Sequence, residues 1–152
     1  MPLSRQRFLT LAALAAAVLP ARGRAAEAAP VPAPTAAPAK ERCVFQVSDA
    51  DLAKWQLTLG NCANAQVALG HDGVELEIVA FGPGIEGLRA GSAVGARIAE
   101  AQRAGVRVLA CQNTMKARQL AEVDLLPGLG YVPSGVVELM RRQREGWSSI
   151  RS

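Results

Sequence analysis

From Cys43 onward the chain alternates between two hydrophobic periods. Cys43-Val44-Phe45-Gln46-Val47-Ser48 is short, β-rich and apolar, which predicts a strand buried on both faces. Leu52, Trp55, Leu59, Cys62, Gln66 and Leu69 then recur at spacings of three and four, predicting a long amphipathic helix with Ser48 or Asp49 as its N-cap. Gly70-His71-Asp72-Gly73 ends that helix, and Val74 to Phe81 reads as a second strand, alternating at first and then wholly apolar. After a Gly-rich loop, Ser92 is placed to cap a helix with Val94, Ile98 and Ala101 on one face and Gly105 as its stop; Val106 to Cys111 is the third strand.

Asn113 or Thr114 caps a further helix through about Ala121, and Leu125 to Pro133 reads as loop with a short strand. Ser134-Gly135 opens a last helix, with Val136, Val137, Leu139 and Met140 assigned to its inner face and Arg141, Arg142 and Arg144 to its outer face. Gly146 stops it, and Trp147 to Arg151 forms a final strand. Strands alternating with helices imply right-handed crossovers, hence a three-layer α/β/α sandwich around a mostly parallel sheet of about five strands.

The first 40 residues break this pattern. A basic start (Met1 to Arg7), an apolar run from Phe8 to Leu19 and small residues around Ala25 to Ala29 have the layout of an export signal, expected to span 1–28. The apolar run is shorter than the roughly 20 residues of a spanning helix, so no retained membrane span is expected. Ser4-Arg5-Gln6-Arg7-Phe8-Leu9 resembles a twin-arginine export signal, with Gln6 in the place of the second adjacent arginine. Residues 29–40, rich in Pro and Ala, read as an extended linker, leaving 41–152 as the folded domain. A periplasmic or otherwise exported product follows.

Export changes the charge picture. The 152 residues include 17 basic and 13 acidic ones; removing Arg5, Arg7, Arg22, Arg24 and Glu27 leaves 13 and 12, a near-neutral domain without a field for nucleic acid. Three cysteines, Cys43, Cys62 and Cys111, cannot all pair within one chain. Cys62 lies on the apolar stripe of its helix and reads as core. Cys43 starts its strand, at the far end of the sheet from Cys111, and is free to cross-link chains.

In parallel sheets ligands gather beyond the carboxyl ends of strands, which nominates Ser48 and Asp49, Gly82 to Gly87, and Cys111 to Thr114. Cys111 is the sharpest candidate, because a strand end followed by a helix start favours the thiolate. Gly82-Pro83-Gly84-Ile85-Glu86-Gly87 has the form G-x-G-x-x-G, but it does not open the first βα unit and Pro83 lacks an amide donor, which argues against a nucleotide site. His71, the single histidine, sits in a turn far along the chain from Cys111. No zinc set or Cys-His pair can be assembled, so no metal is expected.

Val44 to Asp49, Ala80 to Ile85, Cys111-Gln112-Asn113-Thr114-Met115 and Gly135 to Leu139, with Trp55, Asn61, Asn64 and Gln143 to Trp147, together resemble the DsrE family. The resemblance implies a DsrE/DsrF-like α/β/α fold, homo-oligomers and, in one branch, a cysteine that carries sulfur as a persulfide in a relay that requires no metal or organic cofactor; Cys111 occupies the matching position. This sequence has Gln112-Asn113-Thr114-Met115 where that branch has a Gly-containing cysteine loop.

Two functional readings follow. In the first, a sulfur carrier or sulfurtransferase, Cys111 reacts with a sulfane-sulfur donor and an acceptor thiol, while Asp49, Gly82, Gly84, Asn113 and Thr114 line the substrate site. In the second, a noncatalytic oligomeric module of the cell envelope binds a small molecule or partner in the same pocket. An exported assembly protein using Trp55, Trp147 or Tyr131 at subunit contacts is a third expectation.

Overall fold

The computed structural model describes residues 40–152; the expected export signal (1–28) and nearly all of the expected linker (29–40) lie outside the described residues. Five strands form one sheet in the order β4-β3-β2-β1-β5, all parallel: β1 (Glu41–Val47), β2 (Val74–Ala80), β3 (Arg107–Cys111), β4 (Gly130–Val132) and β5 (Ser148–Arg151). The helices are α1 (Leu52–Leu69), α2 (Gly95–Arg103), α3 (Gln112–Ala117) and α4 (Gly135–Arg144). Three-layer α/β/α architecture is therefore correct, and the sheet is wholly rather than mostly parallel.

The alternation of each strand sorts its side chains to two faces. Phe45, Val47, Leu76, Ile78, Ala80, Val108 and Ala110 face one way and bury Trp55, Leu59 and Cys62 of α1, Ile98 of α2 and Met115 of α3. Val44 and Val79 face the other way, against Leu139 of α4 and Trp147. The chain steps from β1 to β4 with its helices on the first face, then returns across the sheet through α4 on the second, as right-handed crossovers demand when the direction reverses.

Several boundaries move for local reasons. Asp51, not Ser48 or Asp49, caps α1: its carboxylate accepts from the Ala53 amide at 2.8 Å. Ser92 does not cap α2, which starts three residues later at Gly95; its hydroxyl accepts from Val94 at 3.4 Å in the turn before. Residues Gly82–Leu88 form a 3-10 helix rather than an open loop. Gly84 lies so close to β1 that a Cβ there would sit 2.2 Å from the Val47 carbonyl oxygen, and its own carbonyl accepts the Trp55 indole N–H at 3.0 Å.

The inner face assigned to α4 is wrong in part. Val136, Val137 and Met140 are exposed, while Gly135, Glu138 and Leu139 are buried and Arg142 lies mostly inside. The helix is rotated because its charged residues have a partner that the periodicity of α4 alone does not reveal: Glu77, completely buried on β2. Trp55 and Trp147 are buried within the chain, which removes them as subunit contacts; Tyr131 is half-buried.

Candidate functional site

β3 and β4 are neighbours, yet the segment after β3 continues into α3 on one face while that after β4 continues into α4 on the other. In parallel sheets such a reversal marks the place, between the carboxyl ends of the two strands, where ligands gather. Cys111 ends β3 there, paired in register with Val132 of β4. It is also the N-cap of α3, a position the sequence reading gave to Asn113 or Thr114.

The sulfur accepts a hydrogen bond from the α4 side. The Gly135 amide, in the first turn of α4, donates to Cys111 Sγ at 3.3 Å. That approach needs glycine, since a Cβ on Gly135 would lie 2.8 Å from Phe81 Cδ1. On the α3 side no amide caps the sulfur with a hydrogen bond, and the Asn113 amide donates to the Pro133 carbonyl at 3.2 Å; the Thr114 hydroxyl and the first amides of the helix act on the sulfur as nearby dipoles. The Gly82 amide donates to Thr114 Oγ1 at 2.9 Å, which fixes the hydroxyl oxygen between β2's end and α3.

Burial raises the pKa of this thiol, but the Thr114 hydroxyl and the Gly135, Thr114 and Asn113 amides outweigh it and hold the value below that of an ordinary thiol. The other two cysteines go the opposite way. Burial pushes Cys43 up to about 11, and burial, together with the neighbouring Cys43, pushes Cys62 up to about 12. All three are free; only Cys111 sits where the thiolate is favoured. Cys111 and Cys43 lie on opposite faces of the sheet, so they do not pair.

Of the residues nominated from sequence, Cys111, Thr114, Asn113 and Gly82 come together. Asp49 does not join them: β2 separates its strand from β3, and its carboxylate approaches Arg151 at 3.7 Å. Gly84 is buried beneath the Val47 carbonyl, where its missing side chain serves packing. Gly135 was missed, because the sequence neighbourhood of Cys111 holds no trace of a residue 24 positions away. The proline-serine-glycine sequence opening a helix was its only sign.

His71 is exposed and lines a cleft of about 310 Å³ between α1 and α2, with Cys62, Gln66, Arg97 and Glu100; Cys111 is not part of it. Among the described residues no cluster of three or more His, Cys, Asp or Glu side chains is placed to hold a metal ion. Among them, too, no helix is long and apolar enough to cross a membrane.

The fold has solved counterparts. A protein of unknown function from Methanobacterium thermoautotrophicum is 36% identical, superposes with a TM-score of 0.71, and the match covers 74% of this chain and 100% of that one. A conserved protein of unknown function from Bacteroides thetaiotaomicron (12% identity, TM-score 0.61, 74% and 95% covered) and the ychN protein from E. coli (12%, 0.59, 75% and 100%) share the fold. No curated protein matches the chain. The sequence profile of the DsrE/DsrF-like family matches residues 44–151, nearly the whole folded part, and the chain belongs to that family.

Proposed function

We propose that this protein handles sulfur, with Cys111 as a persulfide carrier outside the cytoplasm. The observation that carries the reading is the Gly135 amide donating to the Cys111 sulfur at a strand end, on the one thiol whose pKa is held below the ordinary value; both favour the anion. In the proposed step the Cys111 thiolate attacks the outer sulfur of a donor persulfide, R-S-SH. The donor's S–S bond breaks, R-S⁻ leaves, and Cys111-S-SH forms. An acceptor thiolate then takes the outer sulfur and restores the Cys111 thiolate, with no net oxidation. Membership of the DsrE/DsrF-like family supports a relay of this type. Self-association is part of the proposal and would cover the exposed Val136, Val137 and Met140 of α4.

One observation favours the binding module instead: Cys111 is only 4% exposed. A thiol so covered meets a donor only if the residues around it yield. The test is peptide mass mapping of the protein after incubation with a small persulfide donor, with Cys111→Ser and a reduced sample alongside. One added, reducible sulfur on Cys111 that passes to an acceptor thiol is the expected result. No added sulfur on a folded protein whose Cys111 can be alkylated overturns the carrier in favour of the module.

A further inference from the structure

On the far face of the sheet, Glu77 occupies the middle strand with no exposure at all. Arg142 of α4 grips it with both arms of its guanidinium: Nε to Oε1 at 3.0 Å and Nη2 to Oε2 at 2.7 Å. Arg107 Nη2 reaches Oε2 at 3.0 Å, and Arg142 Nε also lies 2.9 Å from Glu138 Oε1. The Arg142 guanidinium stacks on the Trp147 ring, 4.6 Å from its centroid. Desolvation offsets much of the attraction in such a cluster, so its presence is poor evidence of added stability. Its geometry supplies something else.

The α4 helix has few other means of keeping its place. Leu139 is its one large buried apolar side chain; Val136, Val137 and Met140 face outward. A single apolar contact tolerates sliding along a sheet, whereas a two-pronged guanidinium–carboxylate pair is satisfied in one register only. The dimensions fit. Glu77 is in register with Arg107 at the start of β3, and from there to Cys111 the strand rises roughly 13 Å. From Arg142 back to Gly135, α4 spans seven residues, roughly 10 Å. A helix anchored at the level of Glu77 therefore presents its first turn at the level of the sulfur.

We infer that Glu77 and Arg142 are positioning residues for Cys111: their pair sets the register of α4 on the sheet, and through it the contact of the Gly135 amide with the sulfur. The inference deepens the reading of Cys111 as the working thiol and rests on it, but it is tested on the thiol alone.

The experiment follows alkylation of Cys111 by iodoacetamide across pH, located by peptide mass, in the full chain and in Glu77→Gln and Arg142→Lys. Loss of the pair is expected to move the midpoint of the pH profile upward and to slow alkylation near neutral pH by about threefold or more. Arg142→Lys keeps the charge and replaces the fork by a point donor, so it decides the question if Glu77→Gln does not fold. A purely structural role would lower the melting temperature and leave the midpoint where it is; that result in a folded variant overturns the inference. Failure of the unaltered protein to take up sulfur would count against the carrier alone. Normal sulfur uptake with an unmoved midpoint in both variants would count against the positioning role alone.

Discussion

Thr114→Val isolates the hydroxyl at the centre of the site while nearly preserving side-chain shape. Thr114 is one of the groups that hold the Cys111 thiol down, and the substitution removes its hydroxyl while leaving the Gly135 amide in place. A hydrogen bond to a charged group contributes about 1.5–3 kcal/mol, and one pKa unit corresponds to about 1.4 kcal/mol. Loss of the hydroxyl is therefore expected to raise the Cys111 thiol, by an amount worth about 1.5 kcal/mol or less of preference for the anion, with the Gly135 amide retained. The Gly82 amide also loses its acceptor, at a cost to stability of about 1–3 kcal/mol.

The assay is the ultraviolet absorbance of the thiolate against pH, combined with chemical denaturation. Cys43 and Cys62 do not obscure it, since burial holds them at about 11 and about 12. A folded pKa held below the ordinary thiol value of 9.0 contributes stability that is present above that value and is lost as pH falls through the folded pKa. The deficit of Thr114→Val relative to the unaltered protein is thus larger above pH 9.0 than well below it. A folded variant with an unmoved Cys111 midpoint would refute the claim that the hydroxyl holds the thiol down.

Two further outcomes concern the scaffold. Gly84→Ala forces a Cβ to within 2.2 Å of the Val47 carbonyl oxygen, backbone that cannot rotate away; a loss of about 3 kcal/mol or more is expected, read as a large drop in melting temperature. The buried thiols Cys43 and Cys62, raised from 9.0, add stability that is complete below pH 9.0 and is lost as pH rises through about 11 and about 12. Denaturation midpoints should fall across that alkaline window, and Cys62→Ala should flatten the fall; a slope unchanged in the variant would refute the assignment.

Much of the fold was legible in the linear pattern. The apolar run Cys43 to Val47, the helical stripe through Trp55, Leu59 and Cys62, and the turn at Gly70 to Gly73 each meet a local requirement of strand, helix or turn, and each lies within two residues of where it was expected. Cap positions were less legible. Ser48, Asp49 and Asp51 all have the chemistry of an N-cap, and only the angle at which the chain leaves β1 selects Asp51. In α4, hydrophobicity pointed to Val136, Val137 and Met140 as interior, but burial follows the neighbour across the gap, and that neighbour is Glu77.

The sequence by itself determined the α/β class, the alternation that makes the sheet parallel, the family, and Cys111 at a strand end with Thr114 one turn into the next helix. Tertiary structure alone decided what surrounds the sulfur. Strand order places β4 beside β3, so the first turn of α4 and the amide of Gly135 arrive 24 residues from Cys111, while Gly82 comes from β2's end to orient Thr114. The same order leaves Asp49 two strands away, beside Arg151. Hydrophobic period is a local property that each segment carries in itself, whereas donors to a thiolate are supplied by whichever backbone the sheet order brings near, and that order depends on the whole chain at once.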